Sequence, residues 1–195
     1  MVMTVEDLAF QPRPILDAAA QLLVSEFDAP SGWANIDDAA VEVARVLHDG
    51  FGRAALVDDS VVGWIGALPE YHGRVWELHP LVVRREYRRR GIGRALVVAL
   101  ESEVSGRGGL TITLGTDDDA RMTSLAGVDL YADLPGFLRD LRDLGSGHPF
   151  LFYRRLGFTV TGVMPDANGV GKPDIYMSKR VADCPLGTFS GSSRS

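Results

Sequence analysis

The stretch Arg88-Arg89-Arg90-Gly91-Ile92-Gly93-Arg94-Ala95 lies between a predicted strand, 74–83, and a predicted helix, 94–104. Glycines at the start of a helix let a ligand approach the backbone, where free N–H groups and the helix dipole attract anions. The neighbouring arginines add positive charge, so the stretch predicts a pyrophosphate site. A solvated basic loop with a glycine cap is the alternative. Leu96 replaces the third glycine of a dinucleotide fingerprint, and no Gly-Lys-Ser/Thr of a P-loop follows.

The elements around this stretch predict an α/β fold. Strand 74–83, helix 94–104 and strand 110–114 follow one another, and a crossover of this kind places its two strands parallel. The other predicted elements are an extended lead-in at 1–14, a β-hairpin at 54–67, helices at 15–23, 37–47 and 149–156, and strands at 158–164 and 174–181. Asp37 or Asp38 is the expected N-cap of the helix at 37–47.

Composition narrows the class of protein. Of the 195 residues, 46% are apolar and 24% charged, as in an ordinary globular protein. The formal net charge of −6 disfavours nucleic-acid binding, because such domains are usually basic. A single cysteine, Cys184, excludes an intramolecular disulfide, and no Cys/His cluster predicts a metal site. No apolar run is long enough to span a membrane and residues 1–7 do not resemble a signal peptide, so we expect a cytoplasmic protein. We expect one domain at 1–182 and a disordered tail at 183–195.

Two motifs resemble those of one superfamily. Leu81-Val82-Val83 followed by Arg88-x-x-Gly91-x-Gly93 resembles the acyl-CoA-binding signature [QR]-x-x-G-x-[GA] of the GCN5-related N-acetyltransferases, and 152–158 is similar to their F-Y-x-x-x-G-F segment. A narrower resemblance, to aminoglycoside 6'-N-acetyltransferases of the enterococcal-like branch, extends over about 33–180. It rests on Trp76–Val83, Leu114–Asp118, Asp129–Tyr131 and Gly171–Ile175.

The resemblance implies a fold and a ligand. In this superfamily a mixed, strongly twisted sheet carries two central parallel strands that splay apart, and the pantetheine of acetyl-CoA enters the gap. Here those strands correspond to 74–83 and 110–115. The residues expected to bind acetyl-CoA are Leu81, Val82, Val83, Arg88, Arg89, Arg90, Gly91, Ile92, Gly93, Arg94 and Tyr153. The resemblance also suggests a homodimer.

Three residues are candidates for catalysis. Glu77 lies in an otherwise apolar strand, where an unpaired buried carboxylate is costly. It either binds the substrate amine or accepts its proton, or it is an edge-facing residue or the ion-pair partner of an arginine. The backbone N–H of Leu81 or Val82 is expected to polarise the thioester carbonyl. By the resemblance, Tyr153 protonates or orients the departing thiol, although core packing also explains an aromatic residue there.

Other residues are candidates for binding a cationic substrate. His79 shares the alternation of Glu77 and Leu81, and it is a base, a hydrogen-bond partner of the substrate, or a structural donor near a strand bulge. Asp117 and Asp118 end a predicted strand and could cap a following helix instead. With these we group Asp174 and the loop aromatics Trp33 and Tyr71, which could equally cover the edge of the sheet.

The resemblance implies direct transfer of an acetyl group to the 6'-amine of an aminoglycoside. Transfer to a polyamine or a protein amine is the alternative within the enzymes. A non-catalytic acyl-CoA sensor on the same fold is the alternative outside them.

Overall fold

A computed structural model describes residues 2–27 and 32–182 of the chain. In this part of the chain the centre is a seven-stranded sheet with the strand order β1-β2-β3-β4-β5-β7-β6. The strands are β1 (Met3–Asp7), β2 (Phe51–Val57), β3 (Ser60–Glu70), β4 (Val75–Val83), β5 (Thr111–Asp117), β6 (Thr159–Met164) and β7 (Asp174–Arg180). The α-helices are α1 (Arg13–Glu26), α2 (Ile36–Asp49), α3 (Ile92–Gly106), α4 (Leu134–Arg139) and α5 (Phe150–Arg155). The predicted mixed α/β class is confirmed.

Helices cover both faces of the sheet. α3 buries Leu96, Leu100 and Val104 against one face, in a core that also contains Ile112 of β5. α1 and α2 pack on the other face around Trp64, which is fully buried and whose indole N–H donates to the Ala19 carbonyl at 3.0 Å. The apolar stripes of these helices follow the spacing that predicted them, because one side of each helix must leave water.

The two central strands separate after a short parallel contact. β4 pairs with β5 only where Val75–Glu77 lies beside Thr111–Thr113. Beyond this point β5 continues along β7, and Leu78–Val83 has no strand on its β5 side within the described chain. The splayed parallel pair expected from the resemblance is therefore present, and it leaves one edge of β4 open.

A bulge in the pairing of β3 with β4 changes which way the side chains of β4 point. The register shifts between Ile65 and Ala67, and an extra residue in one strand reverses the alternation beyond it. The core beneath α3 therefore contains Trp76, Leu78, Leu81 and Val83. His79 instead faces α2. The expectation that His79 and Leu81 share a face is wrong, because simple alternation does not hold across the bulge.

Two local predictions also differ from the structure. Residues 3–7 form a full edge strand paired with β2, not merely an extended lead-in. The N-cap of α2 is Asn35, whose side-chain carbonyl accepts the Asp38 N–H at 2.9 Å while its amide donates to the Asp38 carboxylate. This reciprocal pair satisfies two groups at once, which neither Asp37 nor Asp38 could do as the cap. The predicted tail at 183–195 lies outside the described residues.

Candidate active site

A pocket of about 460 Å³ opens beside the free edge of β4. Its size is within the usual range for small-molecule sites. β4, the connection to α3, the first turn of α3 and α5 form most of its wall. The lining residues include Leu81, Val82, Val83, Arg88, Arg89, Gly91, Ile92, Gly93, Arg94 and Tyr153. These are all the residues expected to bind acetyl-CoA except Arg90.

The first turn of α3 presents its backbone to this pocket. Gly91 caps the helix with a φ of 85°, and a Cβ added there would meet no protein atom within 4 Å. The first intrahelical bond runs from the Ala95 N–H to the Gly91 carbonyl, so the preceding N–H groups of this turn have no partner inside the helix and can meet a ligand. A glycine with left-handed backbone and open space above it is what close approach of a phosphate requires.

The arginines of the β4–α3 connection have separate environments. The Arg88 guanidinium donates to the Val83 carbonyl at 2.9 Å and pairs with the Glu26 carboxylate at 2.7 Å. Arg90 stacks over the Tyr87 ring at 5.3 Å. Arg88 is thus tied to the end of α1, whereas sequence reasoning expected it only as a ligand of the pyrophosphate. Glu26 gave no signal in the sequence, because its partner lies 62 residues away.

The free edge of β4 offers specific N–H groups. The Arg84 N–H donates to the Val62 carbonyl in β3 at 2.8 Å. N–H directions alternate along a strand, so the Val82 N–H also points towards β3, while those of Leu81 and Val83 point into the gap. Of the two candidates for polarising a carbonyl, Leu81 therefore has the appropriate direction and Val82 does not.

Tyr153 lies on α5, where its ring is packed and the residue lines the pocket. The ring makes edge-to-face contacts with Phe152 and Phe158, with centroids 5.1 Å and 5.6 Å apart. Burial raises the pKa of the Tyr153 hydroxyl well above its usual value. The group is therefore a neutral proton donor at physiological pH, and it has no hydrogen-bond partner among the described residues.

Carboxylates gather at the open end of β4 and β5. Asp117 and Asp174 are directly paired across β5 and β7, and Glu77 lies beside Thr113 in the parallel register. The Asp174 carboxylate lies over Gly115, and within the described part of the chain its buried Oδ1 has no hydrogen-bond partner. Burial raises the pKa of Asp174 to about 6, with further contributions from the charges of Asp117 and Glu77. A cationic group would relieve this mutual repulsion.

Adjacent Asp117 and Asp118 have opposite roles. The Asp117 carboxylate is exposed and accepts a hydrogen bond from the Asn168 side chain. Asp118 is fully buried, and its carboxylate accepts the N–H groups of Met122 and Thr123 and the Thr123 hydroxyl. The expectation that Asp118 binds the substrate is wrong, because the hydrogen bonds of its carboxylate all fasten the loop that follows β5.

The α2 side of the site contains His79 and Trp33. His79 Nε2 lies 3.2 Å from Glu42 Oε1 of α2. The Trp33 ring is 6.1 Å from the His79 ring. Tyr71 is 74% exposed in the turn before β4, at the opposite end of that strand from the gap. The structure therefore brings Trp33 to the predicted site but does not bring Tyr71 there.

Comparison with known proteins shows which family the chain belongs to. The model of the Acetyltransferase (GNAT) family matches residues 16–132, more than half of the chain. The chain belongs to the GNAT family of acetyltransferases. Membership makes it an acetyl-CoA-dependent N-acetyltransferase. A comparison with curated proteins finds no match.

Solved structures of GNAT enzymes resemble this one over nearly its full length. An aminoglycoside 6'-N-acetyltransferase complexed with coenzyme A is 37% identical, with 94% of this chain and 99% of that chain covered and a TM-score of 0.85. The enzyme of the same activity from Enterococcus faecium is 38% identical, with coverage of 95% and 100% and a TM-score of 0.85. The ribosomal-protein-S18-alanine N-acetyltransferase from Escherichia coli, at 15% identity and a TM-score of 0.64 over 94% of this chain and 96% of that one, shares the fold.

The residues of this GNAT chain fit acetyl-CoA. The unpaired edge of β4 can hydrogen-bond a pantetheine amide, and the open backbone at Gly91 leaves room for phosphate oxygens. Arg89 and Arg94 add positive charge at the pocket.

Within residues 2–27 and 32–182, no group of three or more His, Cys, Asp or Glu side chains could hold a metal ion. Among the described helices, none combines the length and the hydrophobicity that a membrane span requires.

Proposed function

We propose that this GNAT enzyme acetylates the 6'-amine of aminoglycosides directly, in a ternary complex with acetyl-CoA. The observation that carries the proposal is the cluster of Glu77, Asp117 and Asp174 at the open end of β4 and β5. Such a cluster suits a substrate with several ammonium groups. Similarity to two aminoglycoside 6'-N-acetyltransferases at 37% and 38% identity supports the same substrate class.

Glu77 would bind the substrate amine and accept its proton. Acetyl-CoA supplies the thioester carbonyl that the amine attacks. An ordinary alkylamine with a pKa of ~10.4 is under about 0.1% neutral at pH 7, so the reacting amine must lose a proton first. The Glu77 side chain has no hydrogen bond or ion pair among the described residues, which leaves its carboxylate available for this proton, directly or through water.

Leu81 and Tyr153 would act on the two ends of the thioester. The Leu81 N–H points into the gap, where it can stabilise negative charge that develops on a carbonyl oxygen. The Tyr153 hydroxyl, held neutral by burial, can donate its proton to a departing sulfur. Trp33 and His79 would bound the acceptor on the α2 side, with Asp117 and Asp174 on the β7 side.

A panel of acceptors tests the substrate class. The turnover of acetyl-CoA should be measured with aminoglycosides that carry a 6'-amine, with matched compounds that carry a 6'-hydroxyl, and with spermidine. We expect strong preference for the 6'-amines. Equal turnover of 6'-hydroxy compounds or spermidine would exclude the proposal and favour a general polyamine acetyltransferase.

A homodimer belongs to the same proposal. The resemblance to aminoglycoside acetyltransferases motivates it, and light scattering at micromolar concentration tests it. A mass of one chain across the concentration range would refute this part.

A further inference from the structure

Glu77 has an arginine near it that does not pair with it. Arg45 on α2 bonds to Glu42, and Glu42 Oε1 lies 3.2 Å from Nε2 of His79, two residues from Glu77 on β4. The hydrogen bond to Glu42 is the main cause that raises the pKa of the Arg45 guanidinium, and the charge of Glu77 adds to it. Despite this, no ion pair joins Arg45 and Glu77 in the described chain. An arginine on Glu77 would neutralise the carboxylate that the proposed function needs.

Glu42 holds that arginine. Its Oε2 accepts Arg45 Nε at 3.0 Å and its Oε1 accepts Arg45 Nη2 at 2.7 Å, so both carboxylate oxygens engage the guanidinium. Such two-point pairing of arginine with a carboxylate is the strong and directional form of this interaction. The Glu42 side chain is only 14% exposed, whereas that of Arg45 is 45% exposed. Glu42 is thus the fixed member of the pair, and Arg45 is the member that can move.

The same carboxylate also touches the other side of the site. Glu42 Oε1 lies 3.2 Å from His79 Nε2, and His79 is two residues from Glu77 on β4. The spacing of Glu42 and Arg45, three residues apart on a helix, keeps both on one face of α2. Glu42 therefore occupies the position from which one side chain can direct both basic neighbours of Glu77.

We propose that Glu42 is a positioning residue that holds Arg45 away from Glu77, so that Glu77 stays free for a cationic acceptor amine. This rests on the proposed function, in which Glu77 meets that amine. With Glu42 ionised, the group formed by Glu42, Arg45 and Glu77 has a net negative charge. Without that charge, Arg45 pairs with Glu77, and the neutralised pair no longer attracts the acceptor.

A double-mutant cycle tests whether Glu42 holds Arg45 away from Glu77, an arrangement that we call the clamp. Glu42→Gln keeps the shape of the side chain, and it should raise the KM for a cationic acceptor about tenfold while the KM for acetyl-CoA stays within twofold. Adding Arg45→Gln removes the competing guanidinium and should return the acceptor KM to within about threefold of wild type. Arg45→Gln alone should not weaken acceptor binding. Asp37→Asn is the matched control, because it removes one exposed negative charge from the first turn of the same helix.

The outcomes separate this inference from the proposed function. If the double variant binds the acceptor as weakly as Glu42→Gln, then Glu42 acts by another route, such as His79, and the clamp is overturned. If the wild-type enzyme uses spermidine but no 6'-amine, the proposed substrate fails and the cycle is run with spermidine. A crystal structure of Glu42→Gln needs no activity: Arg45 within 4 Å of Glu77 supports the clamp, and Arg45 unmoved or turned to solvent overturns it.

Discussion

The ring of Tyr153 packs in the core, whereas its hydroxyl is available for chemistry. Its ring contributes edge-to-face contacts with Phe152 and Phe158, while its hydroxyl has no partner among the described residues. Removal of the hydroxyl alone should therefore leave the core intact. This property makes the residue a direct test of the chemical role.

Tyr153→Phe should lower the single-turnover rate about ten- to hundredfold, because only the proton donor to the departing sulfur is lost. The KM for acetyl-CoA should stay within twofold and the melting temperature within about a degree. Rapid-quench measurement of one turnover avoids masking by product release. An unchanged rate would return Tyr153 to a purely structural role.

Asp174 makes the stability of the protein depend on pH. Its pKa of about 6 lies above the ordinary value of 3.8, because the carboxyl is buried and faces Asp117 and Glu77. The folded protein thus holds this proton more tightly than the unfolded chain does. The free energy of unfolding contributed by Asp174 is highest below about pH 4 and falls as pH rises through about 6.

Asp174→Asn should remove this dependence. At pH 8 the variant should be more stable than wild type by about 1 kcal/mol, a figure reduced for the solvent screening of a half-buried group. At pH 4 the two proteins should unfold alike. Thermal unfolding in acceptor-free buffer from pH 4 to 8 measures the difference, and an Asn variant that is less stable at pH 8 would contradict it.

At the scale of an element, the N-terminus of α3 requires a glycine twice over. Gly91 has a left-handed backbone, and the space next to it must stay open for a phosphate. Gly91→Glu should raise the KM for acetyl-CoA at least tenfold, because a side chain and a negative charge enter the space meant for phosphate. The KM for the acceptor should stay within twofold. Gly108→Glu is the matched control, since Gly108 has a φ of 79° and equally open surroundings beyond the other end of the helix. Equal kinetic effects of the two substitutions would refute the phosphate site.

Individual helices and strands show how much of the fold could be predicted from the sequence. α3 and the strands beside it were predictable because local patterns specify them, namely a glycine cap, an apolar stripe and alternation. β1 was missed because an edge strand of five residues carries little pattern, and its pairing with β2 is about 50 residues distant. The orientation of His79 was missed because the bulge in β3–β4 depends on pairing between strands.

The loop after β5 illustrates a second limit. Asp117 and Asp118 are identical neighbours in the sequence, and only the fold makes one exposed and the other fully buried. Glu42 and Arg45 show the spacing of an ordinary surface pair, and their relevance arises only from the placement of α2 beside β4. Patterns within one element are thus visible in the sequence, whereas the role of a charge depends on what lies across the chain.

Asp118→Asn should therefore affect stability more than catalysis. The substitution removes the charge that accepts hydrogen bonds from Met122 N–H and from the Thr123 N–H and hydroxyl. Loss of charged, buried hydrogen bonds of this kind costs about 2 kcal/mol. Chemical denaturation should show this loss, whereas Asp117→Asn should change the free energy of unfolding by under about 0.5 kcal/mol. A similar loss in both variants would mean that Asp117 is structural as well.

At the scale of the whole molecule, both the net charge of −6 and the local acidic cluster could attract a cationic acceptor. A general charge attracts a cationic acceptor from all sides, whereas a cluster at the open end of β4 and β5 attracts it to the site. Both are screened over a Debye length of ~8–10 Å at ordinary ionic strength. Salt dependence alone therefore does not distinguish them, and a charge-matched pair of variants is needed.

Asp117→Asn and Asp59→Asn each remove one exposed negative charge, the first at the site and the second in the β2–β3 turn on the other half of the sheet. For wild type, kcat/KM for the acceptor should fall as salt rises from low to physiological concentration, provided that encounter contributes to the rate. Asp117→Asn should flatten this slope and raise the acceptor KM, while Asp59→Asn should keep the wild-type values. Asn also tolerates the left-handed backbone of Asp59, whose φ is 59°, so the control should remain folded. If the two variants flatten the slope equally, the attraction comes from net charge, and the acidic cluster would owe its effect to short-range contact with the bound amine alone.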